Sequence, residues 1–276
     1  MNGRTDVPVA LGGIGGSGTR LGAAILQALG YFIGDDLNGP LDNLWFTLLF
    51  KRRSVLLEPR AGFEALYAMF AQRMLGSFTP SEEQRQQIAD LATIERHQHP
   101  HEWLAEREKS FLVAEAARSG ARKFGWKEPN THIVLDRLFD VDPALRYIHF
   151  LRNPLYMAYS DNQAQLHNWG PILLDREIVV GPADSLAYWC AAHRRITGFS
   201  RLWPDRILIV DYDRLVVDPQ AGLDAIMRFL GANRIDTDFV ESFLRERPVR
   251  EPLPVDPGHF RPDDLRYVAA LGYKAG

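Results

Sequence analysis

The 276-residue sequence predicts a three-layer α/β fold, a central parallel sheet flanked by helices, with a helical insertion. Three observations predict it. Short apolar runs at Val7–Leu11, Tyr147–Leu151 and Ile207–Asp211 alternate with helical patterns, as strands of a buried parallel sheet do. The first run passes through the glycine-rich turn Gly12-Gly-Ile-Gly-Gly16 directly into a helical run. Residues 59–111 are rich in Ala, Leu, Glu, Gln and Arg and carry several helical patterns, which reads as an insertion of helices.

Taken in order, Val7–Leu11 is the first strand and Gly18–Gly30 the first helix, closed by its terminal glycine. Tyr31–Gly34 reads as a short second strand before the acidic turn Asp35-Asp-Leu-Asn38. Leu44–Arg53 reads as helix. In the insertion, Thr79-Pro-Ser-Glu-Glu83 marks a capped helix start. Phe124–Lys127 is a strand end and Ile133–Phe139 a helix. Tyr147–Leu151 is a clean strand that ends at Arg152-Asn-Pro154, and Leu155 to about His167 is the next helix. A long helix over Ser185–Trp203, the strand Ile207–Asp211 and a helix around Gly222–Leu230 follow. The tail from Arg247 is rich in Pro and Arg and reads as ordered loop with a short helix after Pro262. No repeat or low-complexity segment interrupts this order, so residues 1–276 are expected to form a single domain.

Composition narrows the partners. A hydrophobic fraction of 46% with 24% charged residues is ordinary for a globular protein able to bury a large core. A net charge of -3 gives no global attraction to nucleic acid or an anionic membrane. The single Cys190 excludes an internal disulfide and a cysteine-based zinc site. The eight His show no metal-ligand spacing, and no metal is expected. Residues 1–8 are polar and lack an apolar signal core, and no apolar run reaches membrane-spanning length. These features point to a reducing, cytoplasmic setting.

The chemistry-bearing residues begin in the first turn. A strand, a glycine-rich turn and a helix start form a phosphate cradle, because glycines let backbone N–H groups turn inward and the helix N-terminus adds partial positive charge. Here the cradle is Gly15-Gly16-Ser17-Gly18-Thr19-Arg20. An ATP-hydrolysing P-loop carries Lys where this chain has Gly16, so the loop is P-loop-like without the usual ATP chemistry. Parallel sheets bind ligands beyond the C-terminal ends of their strands. Gly15–Arg20, Asp35–Asn38, Lys127–His132, and Arg152 with Ser160 are all expected at that edge, as one site.

These motifs resemble the PAPS-dependent sulfotransferases, where PAPS is 3'-phosphoadenosine 5'-phosphosulfate. The family's first motif, a Ser-Gly-Thr loop after strand one, corresponds to Ser17-Gly18-Thr19 with Gly16 before it. Its second, an Arg at a strand end and a Ser in the next helix, corresponds to Arg152 and Ser160. Gly125-Trp-Lys127-Glu-Pro129 looks like its Lys-acid-Pro segment, and Ile209 to Pro219 like its late strand and turn. The match runs in order over roughly residues 7–230, apart from the insertion. Two departures stand out: Gly16 replaces a common Lys or Arg, and Arg20 replaces a common second Thr. Arg20 or Lys127 is expected to supply the missing cation. The family's late Arg-Lys-Gly segment is not evident, and Arg247, Arg250 and Arg261 are equal candidates to replace it.

The resemblance implies roles. Gly15, Gly16, Ser17, Gly18, Thr19 and Arg20 would hold the 5'-phosphate, and Arg152 and Ser160 the 3'-phosphate. Lys127 would neutralise the transferring group. Asp36 is the expected general base, with Asp42, His132 and Glu58 behind it, although Asp36 and Asn38 suit an ordinary turn equally well. His132 and Trp169 are the expected acceptor contacts; Trp45, Trp126 and Trp189, with His149 and His167, are expected mostly in the core. The implied reaction moves a sulfuryl group from PAPS, leaving PAP, to a hydroxyl or amine of a small-molecule, glycan or lipid acceptor. A P-loop kinase or other phosphotransferase, and a non-catalytic nucleotide-binding protein, are the alternatives.

Overall fold

The computed structural model describes residues 7–113, 123–232, 235, 242–243 and 255–274. Its centre is a parallel four-stranded sheet flanked by helices, an α/β fold. The strands are β1 (Val9–Gly13), β2 (Gly125–Lys127), β3 (Arg146–Leu151) and β4 (Ile207–Asp211), in the order β2-β1-β3-β4. β1 and β2 pair in parallel with Val9 opposite Gly125 and Leu11 opposite Lys127. The chain gathers into two compact units, residues 1–11 with 22–147 and residues 12–21 with 148–276. β1 and β3 each pass from one unit into the other.

The first unit holds β2 and the helices of the core and insertion. α1 (Thr19–Ala28) enters it from the glycine loop. α2 (Leu44–Phe50) is buried on all sides, which its sequence Leu-Trp-Phe-Thr-Leu-Leu-Phe requires. Asn43 starts it by accepting from the Phe46 amide. Arg96 ends it, donating to the Thr47 and Leu48 carbonyls at 2.7 and 2.6 Å. The insertion is helical as expected: α3 (Arg60–Leu75), α4 (Glu82–Thr93) and α5 (His101–Leu112). Ser81 and Gln84 cap α4 reciprocally, with Ser81 standing inside the anticipated Thr79–Glu83 start. Trp126 centres the aromatic core, stacked on Phe46 at 5.5 Å and edge-on to Phe70 at 5.2 Å. A short 3-10 turn over Pro129–Val134 leads into α6 (Leu135–Val141).

The second unit carries the glycine loop and β4. Its described helices include α7 (Pro154–Met157), α8 (Ala164–Leu173), α9 (Pro182–Leu202), α10 (Tyr212–Val217), α11 (Pro219–Leu230) and α12 (Pro262–Ala270). Leu151, Leu155, Leu186, Trp189, Phe260 and Val268 form its core.

Three local readings are corrected. Tyr31–Gly34 makes only one bridge, Phe32 with Phe124, because the Ile33 carbonyl accepts instead from the Asn43 side chain at 2.9 Å. The helix expected from Leu155 to His167 is two helices, and Ser160 lies in the turn between them. There the Asn162 amide donates to Ser160 Oγ at 3.2 Å, a side-chain bond that competes with helix. The turn after β4 is itself helical, as α10, because Asp211 accepts from the Asp213 and Arg214 amides.

Candidate functional site

In the second unit, the loop from Gly13 to Gly18 is drawn tight by backbone contacts that only glycine permits. A Cβ on Gly13 would stand 2.6 Å from the Phe150 carbonyl. Gly18 adopts φ +89, and a Cβ there would stand 2.0 Å from the Tyr212 ring. The Ser17 amide donates to the Ile14 carbonyl at 3.0 Å, and Gln165 Nε2 donates to the Gly13 carbonyl at 3.0 Å. Ser17 is fully buried, and its hydroxyl has no hydrogen-bond partner among the described residues. Thr19 and Arg20 are the first residues of α1, whose leading N–H groups have no intrahelical acceptor. Arg20 is half-buried and has no ion pair among the described residues.

Arg152 follows β3 and reaches the same loop. Its Nη1 donates to the Gly16 carbonyl at 3.2 Å, and its guanidinium lies 5.3 Å from the Tyr212 ring centre. Asp213 steadies it: Asp213 Oδ1 stands 3.7 Å from Arg152 Nε, and Oδ2 accepts from the Asn153 amide at 2.7 Å. Burial raises the Asp213 carboxyl above the usual range, against the pull of that amide and of Arg152. A guanidinium thus stands beside Gly16, where the loop itself carries no cation. Asp213 and Tyr212 were not singled out in the sequence, although the Asp211-Tyr-Asp-Arg214 run was.

In the first unit, Lys127 ends β2 with 3% of its side chain exposed. It is paired with Asp42 and donates to the Pro40 carbonyl at 3.2 Å. Asp42 Oδ2 accepts from Asn38 Nδ2 at 2.8 Å, so both its carboxylate oxygens are engaged. Asp36 differs. Its Oδ2 stands 3.0 Å from Arg107 Nε on α5, and its Oδ1 has no partner among the described residues. The Arg107 N–H does not point along that line, so the contact is charge pairing without a formed hydrogen bond. Glu128, beside Lys127, is buried. Burial raises its carboxyl, and Lys51, 3.7 Å away, works in the opposite direction. Glu58 pairs with Arg52 at 2.6 Å.

The other candidates are distributed differently. His132 is fully buried, with Nδ1 2.9 Å from the Pro129 carbonyl. Trp169 is 2% exposed within α8, so its ring packs inside the second unit rather than facing outward. Trp45, Trp126 and Trp189 are core residues, as expected. Arg261 pairs with Asp184, as does Arg176, at 3.0 and 2.6 Å. Arg247 and Arg250 lie outside the described residues. No group of three or more His, Cys, Asp or Glu able to hold a metal occurs among the described residues. No described helix is long and apolar enough to cross a membrane.

A parallel α/β sheet whose first strand feeds a glycine loop and helix start, with an arginine beside the loop, is an architecture in which α/β proteins commonly bind anionic groups. The sequence model of the sulfotransferase family matches residues 8–236, and this chain belongs to that family. Among solved structures, the sulfotransferase STF9 of Mycobacterium avium aligns with a TM-score of 0.52 and 12% identity, over 98% of this chain and 77% of that one. The sulfotransferase domain of the Synechococcus PCC 7002 olefin synthase aligns with a TM-score of 0.47 and 17% identity, over 100% and 98%. The sulfotransferase domain of the curacin biosynthetic pathway gives 0.46 and 14%, over 98% and 99%. At these identities the likeness is one of fold. No curated protein matches the chain.

Proposed function

We propose that this sulfotransferase uses PAPS as donor and passes the sulfuryl group to a hydroxyl or amine of a small-molecule, glycan or lipid acceptor. One observation carries the donor assignment: the buried Ser17 hydroxyl, without a partner among the described residues, in a glycine loop that Arg152 flanks, with Arg20, likewise unpaired among the described residues, at the helix start. A buried hydroxyl without a partner costs on the order of 1–3 kcal/mol, which a phosphate oxygen would recover. The donor set fits the group. Ser17, Gly18, Thr19 and Arg20 offer amides and hydroxyls to a 5'-phosphate, and Arg152 offers a fork to a 3'-phosphate, with Ser160 in the turn after α7 as its proposed companion.

Bound PAPS supplies a transferable sulfuryl group and a phosphate leaving group on which negative charge grows. Arg20 and the α1 N-terminus stabilise that charge where it develops. Lys127, held by Asp42, is the proposed cation toward the transferring group. Asp36 takes the acceptor proton; its free Oδ1 favours it over Asp42, whose oxygens are both engaged.

Calorimetry with PAP and 5'-AMP tests the donor assignment. PAP should bind tighter by about 1.5–3 kcal/mol, the scale of a charge-assisted contact. Equal affinities would remove the 3'-phosphate role of Arg152. Turnover of labelled PAPS separates an enzyme from a binding protein, and tighter binding of ATP than PAP would favour a phosphotransferase.

A further inference from the structure

We infer that Arg107, carried by the third helix of the insertion, is the positioning residue for the Asp36 carboxylate, and that His99 and Trp103 hold Arg107 in place. The inference rests on the reading of Asp36 as base. The backbone of Asp36 is fixed independently, since its carbonyl accepts from the Leu44 amide at the start of α2 at 2.9 Å. The carboxylate is not. Among the described residues its neighbour is Arg107, with Nε 3.0 Å from Oδ2. Both side chains are largely shielded, 12% and 17% exposed, so the pairing is less screened by solvent than a surface pair.

Arg107 is itself prepared for this position. Trp103 and Arg107 lie four residues apart on α5, the spacing that puts two side chains on one side of a helix, and His99 comes just before the helix, in a bridge with Arg96. The His99 ring stacks on Trp103 at 4.2 Å and 21°, and the Arg107 guanidinium lies 4.9 Å from the Trp103 ring centre. The neutral imidazole suits this stack: burial first, then the nearby Lys51 and Arg96 charges, lower its pKa to about 3. Glu106 accepts from the far end of the guanidinium, Nη2, at 3.0 Å, and Nε is the guanidinium atom paired by charge with the Asp36 carboxylate. Arg107 touches no acceptor in this arrangement; it orients the group that does. The insertion therefore contributes to turnover through one charge pair, and its ladder is otherwise structural.

Kinetics of Asp36→Asn, Arg107→Met, Arg107→Lys and Asp36→Asn/Arg107→Met test this, with circular dichroism and PAP affinity checked for each. Arg107→Met should lower kcat tenfold or more with acceptor KM and PAP affinity within about twofold, on the pattern of an interaction used in the transition state. Arg107→Lys should recover part of the loss. The double variant should be no slower than Asp36→Asn alone, because Arg107 acts through that carboxylate. Additive losses, or a normal kcat in both Arg107 variants beside a slow Asp36→Asn, overturn the positioning role while sparing the base. A normal kcat in Asp36→Asn overturns the base reading instead. If Arg107→Met does not fold, Arg107→Lys in the two Asp36 backgrounds decides by the same additivity.

Discussion

Arg152 donates to the main-chain carbonyl of Gly16 across 136 residues of sequence, at 3.2 Å. The contact joins the end of β3 to the loop after β1 and gives that loop a cation its own sequence lacks. The same side chain is the proposed contact to the 3'-phosphate.

Replacing Arg152 should therefore be more damaging than loss of a surface charge. Arg152→Ala should lower PAP affinity by ten- to hundredfold while changing 5'-AMP affinity little, which erases the preference between the two ligands. Arg152→Lys should restore little of it, since an ammonium cannot fork onto a phosphate. Paired calorimetric titrations measure this; a variant with an intact preference would move the 3'-phosphate contact elsewhere.

Gly18→Ala should damage the loop from within. The new methyl would meet the Tyr212 ring at 2.0 Å, and φ +89 strains any residue with a Cβ. Together these should cost on the order of 2–4 kcal/mol, read by urea denaturation. Adding Tyr212→Ala should return the steric part and leave the backbone strain. A single variant as stable as the parent would contradict the close packing of loop and ring.

Turnover should survive EDTA. The positive charge proposed for the reaction comes from Arg20, Lys127 and the α1 N-terminus, all parts of the chain. Activity lost on chelation and restored by magnesium would favour the phosphotransferase alternative.

His99 should leave a signature in the pH dependence of stability. Its folded pKa is lowered to about 3, chiefly by burial, while an unfolded histidine titrates near ~6.5. Below that upper value the unfolded chain binds a proton that the folded chain refuses. Stability is thus complete above about pH 6.5 and falls as pH drops toward 3. His99→Phe keeps a ring for Trp103 and should flatten this part of the slope. Urea denaturation of both proteins at pH 7, 6 and 5 compares them, and parallel curves would show that His99 is not protected from protonation.

What was legible in the sequence was local. β1, β3 and β4 appear as apolar runs because a strand buried in a parallel sheet must be apolar along its length. The glycine loop appears because close backbone approach requires glycine, as Gly13 and Gly18 show. Ser81 announces α4 because a cap acts within four residues. Tertiary structure decided everything that depends on a distant partner. Tyr31–Gly34 fails as a strand because Asn43, ten residues on from Ile33, takes the Ile33 carbonyl. Asp36 and Asp42 are alike in sequence, two acids near one turn. Lys127 and Asn38 engage both oxygens of Asp42, whereas Arg107 leaves one oxygen of Asp36 free. Residue type and spacing specify what a side chain can do; which charge it meets is set by helices and strands that the chain brings together only on folding.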